Sequence, residues 1–245
     1  MSISTSEAIV LRTFNLAEQD KIVVLFTKDK GIIRGVAKGA RKFGNRFGSS
    51  LEPLSLVKTI YYEKETKDLV TLKSCELIES FFEIQKDLKI AYHFSYFSEL
   101  IEEFFPLKSQ EELTYRLLLT VLRAIKRGCD LSLTSRYFEM WILKIYGILP
   151  DFSRCRKCKK KLPQKAWLSP KREGIYCDSC ASEKKESITS AINSFIKWAR
   201  KSLPWETENI SFSTEELKKI SHIFQEIITY HLEKTPKTLL LLQSY

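Results

Sequence analysis

Glycine and proline are scarce in this chain, 8 and 7 among 245 residues, so connections should be few and mostly short. Histidine is scarcer still, with three copies, and His93, His222 and His231 form no histidine–cysteine–acid set of a catalytic kind. The first residues, Met1-Ser2-Ile3-Ser4-Thr5-Ser6-Glu7, lack the basic start and apolar run of a secretory signal. No stretch approaches the roughly 18–20 uninterrupted apolar residues that a membrane-spanning helix needs. The signature of a nucleotide-binding P-loop is also missing. The chain therefore reads as cytosolic. What is present suits a folded protein: 44% apolar and 12% aromatic residues, on a length that can bury a sizeable core in one or two domains.

The formal net charge is +10, and its placement is more informative than its size. Residues 34–46 carry Arg34, Lys38, Arg41, Lys42 and Arg46 with no acid among them. Residues 154–172 carry Arg154, Arg156, Lys157, Lys159, Lys160, Lys161, Lys165, Lys171 and Arg172, again without an acid. These segments hold 14 of the 40 basic residues, which leaves 26 against 30 acids elsewhere. Positive charge concentrated in two places on an otherwise mildly acidic protein points to a polyanionic partner.

The first eighty residues read as β. Apolar, β-branched runs at 7–14, 22–27, 54–62 and 69–77, with Ile32-Ile33 after a turn at Lys28-Asp29-Lys30-Gly31, predict five short strands. The last two are separated by the polar stretch at 63–68. Without helical segments to make βαβ units, a small barrel is expected, for which the oligonucleotide-binding (OB) fold is the common solution among several. After Ser80 the period changes. Leu88, Ala91, Phe94, Phe97, Ile101 and Phe104 recur at helical spacing up to Pro106. A capping box of Ser109 and Glu112 predicts a second helix, burying Leu113, Leu117, Val121, Leu122 and Ile125 and closed by Gly128. A third is expected over about 132–146, and helical patterns resume at Ser187 and at Ser213-Thr214. The expected class is α+β, an N-terminal OB-fold β-barrel (1–80) followed by an all-α domain (81–150 and 183–245) into which a four-cysteine zinc module (151–182) is inserted.

That module rests on spacing. Cys155-x-x-Cys158 and Cys177-x-x-Cys180 are two tight thiol pairs eighteen residues apart. Each can present two sulfurs to one ion, so that together they complete a tetrahedron. Four thiolates leave no open coordination position, which makes the expected Zn2+ structural, and the neighbouring lysines and arginines should favour thiolates. Disulfides and a redox pair fit a cytosolic chain with two matching pairs less well. Cys75 and Cys129 read as core residues.

The barrel segment Arg34-Gly35-Val36-Ala37-Lys38-Gly39-Ala40-Arg41-Lys42-Phe43-Gly44-Asn45-Arg46-Phe47-Gly48 combines cations for phosphate, glycines for close approach and two phenylalanines. The rings either stack on exposed bases of a single strand or anchor the loop to the barrel.

Ala8-Ile9-Val10-Leu11-Arg12-Thr13, Asp20-Lys21-Ile22-Val23-Val24-Leu25-Phe26-Thr27 and Gly31 occur in that order. Ala37-Lys38-Gly39-Ala40-Arg41-Lys42, Arg46-Phe47-Gly48, Leu51-Glu52-Pro53-Leu54 and the closing Tyr230-His231-Leu232-Glu233 follow. Through these motifs nearly the whole chain resembles the bacterial RecO family of DNA repair proteins. The resemblance implies an N-terminal OB fold, a helical domain with a zinc module, and a cytoplasmic, nucleoid-associated recombination mediator without catalytic activity. Such a mediator binds single- and double-stranded DNA, anneals complementary strands and works with RecR and single-strand-binding protein to load the RecA recombinase. On that basis Lys38, Arg41, Lys42 and Arg46 contact phosphates, with Arg12 and Arg34 as weaker candidates. A nuclease would need clustered carboxylates, whereas Glu102–Glu103 and Glu111–Glu112 read as helix-surface and capping residues. A protein-binding zinc-ribbon scaffold is the remaining alternative.

Overall fold

The computed structural model describes residues 2–64, 68–163 and 165–243, so part of the polar stretch expected between the fourth and fifth strands lies outside the described residues. The chain forms two compact units, Met1–Arg116 with Lys237–Tyr245, and Leu117–Pro236. In chain order the elements are β1 (Ser2–Leu16), β2 (Asp20–Thr27), β3 (Gly31–Ala37), β4 (Leu56–Glu63) and β5 (Leu69–Glu79), then α1 (Leu88–Phe104), α2 (Glu112–Lys126) and α3 (Leu131–Ile145). They continue with β6 (Ala166–Leu168), β7 (Ile175–Cys177), β8 (Ser187–Ile188), α4 (Ser190–Ala199), α5 (Thr214–Leu232) and α6 (Lys237–Gln243). The boundary between the units falls inside α2.

The first five strands close a barrel in the order β1-β2-β3-β5-β4, the arrangement of an OB fold. Closure depends on β1, which begins at Ser2 rather than at Glu7. The polar alternation Ser2-Ile3-Ser4-Thr5-Ser6 suits a strand, and it pairs with β4 from Ser2↔Glu63 to Ile9↔Leu56. The C-terminal half of β1 then pairs with β2, and a bulge between Val10 and Arg12 supports the bend that so long a strand needs. A parallel pairing of Arg34–Val36 on β3 with Leu69–Thr71 on β5 seals the circle. Inside lie Ala8, Val10, Val23, Leu25, Ile33, Val57, Tyr61, Val70, Leu72 and Cys75. Ala40, Phe47 and Leu51 reach into the same core from the β3–β4 connection, so Phe47 is an anchor.

That connection, residues 38–55, is the long exception to the expected short loops. It is a chain of turns, closed by seven backbone bonds between an N–H and the carbonyl three residues earlier, from Ala40 N to Ala37 O through to Ser55 N to Glu52 O. Such a run of turns is ordered without strands or helices.

Outside the barrel, Phe26 meets Tyr115 edge-on, and the 105–111 segment crosses the β2–β3 hairpin. There Lys108 N donates to Ile32 O at 2.9 Å. Gly31 has φ +66°, and a Cβ on it would lie 1.7 Å from the Ser109 carbonyl oxygen. Helix α1 is capped by Asp87, whose side chain accepts from Lys89 N, and it buries Phe94, Tyr96, Phe97, Leu100, Ile101 and Phe104. Its Glu99 carboxylate accepts from Lys237 N and Thr238 N, both at 2.9 Å, and from the Thr238 hydroxyl, which caps α6 from another helix. Burial opposes the Glu99 charge, but these donors hold its carboxyl below the usual range.

The Ser109–Glu112 capping box does not form. The Ser109 hydroxyl donates to Glu111 Oε1 at 3.1 Å, and Leu113, expected in the buried stripe, is 64% exposed. A residue in the first turn of a helix sits where the stripe has yet to meet its neighbours. In the second unit α3, α4 and α5 pack around Phe195, whose ring lies 5.5 Å from Trp198, 5.6 Å from Phe212 and 6.1 Å from Phe224. Here Ser213, where the helical pattern resumes, caps α5 in a capping box with Glu216 as its reciprocal partner. The buried Glu139 is met within α3 by Arg136 at 2.5 Å and from α5 by Gln225 Nε2 at 3.4 Å.

Gly31→Ala is expected to destabilise the protein by about 1–3 kcal/mol through the left-handed φ, and by more through displacement of the Ser109 carbonyl. Urea unfolding of the variant beside wild type measures this.

Candidate nucleic-acid interface and metal centre

The five predicted phosphate-binding cations all lie on the barrel unit, but the fold uses them in two ways. Arg34 projects, exposed, from β3, and Lys38 and Lys42 stand exposed on the 38–55 connection. Among the described residues none of these three has a side-chain hydrogen bond or ion pair. Arg41 and Arg46 are more committed and hold the loop down. Arg41 Nη1 donates to Ala17 O at 2.8 Å. Arg46 Nε donates to Lys73 O at 2.8 Å, and its guanidinium lies 4.7 Å from the centre of the Phe47 ring. Below the loop, Gly39 N donates to Asp20 Oδ1 at 2.7 Å, while Asn45 Oδ1 accepts from Phe47 N and Gly48 N. Gln19, Asp20, Lys38, Lys42, Phe43, Asn45 and Arg46 thereby line a shallow hollow of about 440 Å3.

The two phenylalanines have opposite fates. Phe47 is buried in the barrel core, and Phe43 is fully exposed at the loop tip. Their difference follows from the turn sequence, Gly44 at φ +65° and Gly48 at φ +52°, which periodicity does not encode. Arg12, the weaker candidate on β1, faces an acid. Its guanidinium grips the Glu102 carboxylate at 2.6 and 2.7 Å, so Glu102 is a paired residue rather than a free surface acid.

In the second unit all four cysteines converge, with their sulfurs within 4.8 Å of one another. They are free thiols, and the Cys158 and Cys177 sulfurs are 3.8 Å apart, far beyond the roughly 2.05 Å of a disulfide. Each pair sits on a turn. Lys159 N donates to Cys155 O at 2.9 Å, with Lys159 itself at φ +62°, and Cys180 N donates to Cys177 O at 3.0 Å. The second turn hangs from the end of β7 in a small sheet of order β7-β6-β8. Trp167 on β6 braces it by donating from Nε1 to Asp178 Oδ1 at 3.1 Å.

Burial opposes ionisation of Cys155, but the N–H groups of Cys158, Cys177 and Lys157 outweigh it and draw its thiol down to about 6. Backbone amides are thus the leading influence in favour of this thiolate. Cys180 is pushed up to about 12, first by its hydrogen bond with Cys177, then by burial and the other sulfurs. Cys155 thus ionises readily, whereas the Cys180 thiolate needs a cation to offset its crowding. Four sulfurs in this arrangement could hold one metal ion. Among the described residues this is the one group of three or more His, Cys, Asp or Glu side chains placed to do so. Cys75 is buried in the barrel, donating to Thr59 Oγ1 at 3.4 Å, and Cys129 is half-buried.

Fold and site together define an OB-barrel protein whose helical unit carries a four-cysteine cluster that could hold a metal ion. Comparison with known proteins is more specific. Residues 1–81 match the model for "Recombination protein O N terminal" and residues 85–240 that for "Recombination protein O C terminal". The chain belongs to the recombination protein O (RecO) family. It is 35% identical over 187 residues to the DNA repair protein RecO of Koribacter versatilis, covering 76% of this chain and 75% of that one. Over 240 residues it is 29% identical to the DNA repair protein RecO of Caldicellulosiruptor saccharolyticus, covering 98% and 91% of the two chains. No described helix is long and apolar enough to cross a membrane.

Replacing Cys177 by Ala should open the 153–188 segment to protease while leaving the barrel unit's unfolding midpoint unchanged. A bound ion typically supplies on the order of 10 kcal/mol to such a module. Limited proteolysis with mass mapping, alongside metal content, checks the outcome.

Proposed function

We propose that this protein is a non-enzymatic recombination mediator in DNA repair, cytoplasmic and nucleoid-associated, which binds single- and double-stranded DNA and anneals complementary strands. The observation that carries the reading is the barrel loop, where a fully exposed ring, Phe43, stands beside the unpaired cations Lys38 and Lys42 on a rigid base. Phosphates meet the cations and a base stacks on the ring, the combination that favours single strands irrespective of sequence. Arg34, Lys38, Arg41, Lys42 and Arg46 are the proposed contacts. A guanidinium has five N–H donors, so Arg41 and Arg46 hold the loop and still offer donors to a phosphate. Cationic side chains between two strands offset their mutual repulsion, which is the physical requirement of annealing.

The metal is proposed to be one structural Zn2+ on Cys155, Cys158, Cys177 and Cys180. A tetrahedron with zinc–sulfur arms of about 2.3 Å has edges of about 3.8 Å, and the Cys158–Cys177 separation is 3.8 Å. Four thiolates leave no coordination position for substrate, so the ion holds the 151–182 module together within the helical domain (81–150 and 183–245), apart from the barrel (1–80). The family's name for its members as DNA repair proteins supports partners of that process: RecR, single-strand-binding protein and, through them, RecA. A nuclease would require converging carboxylates, and Glu102 is instead committed to Arg12.

The test is annealing of complementary strands coated with single-strand-binding protein. A Lys38→Ala, Lys42→Ala variant should anneal at least about tenfold more slowly, the equivalent of roughly 1.4 kcal/mol of lost strand binding, with an unaltered melting temperature. Wild-type rates from this variant would contradict the placement of the site, and magnesium-dependent cleavage by wild type would overturn the non-enzymatic reading.

A further inference from the structure

The second acid-free stretch of the sequence is divided by the fold. Part of it is engaged within the fold: Arg172 pairs with Glu226 at 2.5 Å, Arg156 approaches Glu173 at 3.6 Å, and Lys165 lies over the Trp167 ring. The rest is not. Arg154, Lys159, Lys160 and Lys161 form one wall of an open cleft of about 840 Å3, and Lys197, Arg200 and Lys201 at the end of α4 form the other. All seven are exposed, and among the described residues none makes an ion pair. The one acid in the lining, Asp151, turns Oδ1 to the Ser153 N–H at 2.8 Å and the Ser153 hydroxyl at 2.6 Å, which fixes the turn leading into the cysteines.

Cations at the C-terminal end of α4 are favoured by the helix dipole, but that does not account for four more facing them from a different element. Small-molecule pockets are mainly apolar with a few polar groups. Seven cations against one acid reverse that ratio and suit a polyanion. Phe152 is the cleft's one aromatic residue and is 5% exposed, so no ring is available to bases. Contact here falls on the sugar-phosphate chain.

We infer that the cleft between the Cys155–Cys158 turn and the end of α4 is a second nucleic-acid site, which grips the phosphate backbone of single strands and duplexes alike. The inference rests on the strand-binding reading for the identity of the polyanion, and adds to it a site whose chemistry differs from the loop's. The loop offers a ring and so discriminates strandedness, while the cleft offers charge alone. One chain thus has separate holds for two strands, or for a strand and a duplex.

The experiment uses the full chain with Lys160→Ala, Lys161→Ala, Lys197→Ala and Lys201→Ala combined, and a second variant with Arg at the same four positions. Affinity is measured for a single strand and a duplex of equal length over a range of salt, and a polyglutamate peptide is tested as an alternative ligand. The alanine variant should lose about tenfold or more for both DNA forms, its single-strand salt slope should become shallower by about 3, and the arginine variant should behave as wild type. Unchanged binding of both forms by the alanine variant would overturn the cleft while leaving the loop site intact. A loss confined to polyglutamate would overturn it too, assigning the cleft to an acidic protein segment. Wild-type protein that bound neither DNA form would overturn this inference together with the reading on which it rests.

Discussion

A cation that already faces a carboxylate has little attraction left for a phosphate, so the surface open to a polyanion is set by which positive charges this protein leaves unneutralised. Arg12 is bound to Glu102, Arg136 to Glu139 and Arg172 to Glu226, and these serve the fold. Lys38 and Lys42 on the barrel loop face solvent with no internal acid as partner among the described residues. Such an arrangement costs stability through self-repulsion. It persists because the loop is over-determined from beneath, by Phe47 in the barrel core, Asp20 on Gly39 N and Arg46 on the β5 carbonyls. A mobile loop would lose conformational freedom on meeting a strand, and a pre-set one avoids that cost.

The four-cysteine segment solves the same problem differently. Its three short strands bury Ala166, Leu168, Ile175 and Ile188. The Cys155 and Cys158 sulfurs lie within 4.8 Å of those of Cys177 and Cys180, where one metal ion could join them. The Lys159–Lys161 run then follows directly from the first turn, with Cys155 N bonded to Lys160 O at 2.8 Å. A metal held by those sulfurs would therefore be linked to the presentation of charge through the backbone itself.

Much of this was legible in residue order. The apolar, β-branched runs marked the barrel strands, α1 begins at Leu88 and ends at Phe104 where the apolar spacing begins and ends, and the paired Cys-x-x-Cys motifs foretold the convergence of four sulfurs. Local chemistry carries those signals. What could not be read was whatever depends on partners distant in sequence. Glu99 caps α6 from 138 residues away, and Arg12 meets Glu102 across 90. Phe43 and Phe47 have the same composition around them and differ only because successive turns point one outward and the other inward. Leu113 fitted a helical stripe and lies exposed, since periodicity identifies a face but not where along it the packing begins. The clustered Lys197, Arg200 and Lys201 were visible as residues, but their position opposite the cysteine turn belongs to the fold.

The dependence of single-strand affinity on salt is the most direct test of whether unpaired charge is the working element. Plotted as logarithms for the intact protein, the affinity should fall with a slope of about −0.7 for each phosphate neutralised, giving about −2 or steeper for three or more contacts. A flat line, or no affinity in dilute buffer, would contradict the account at its base.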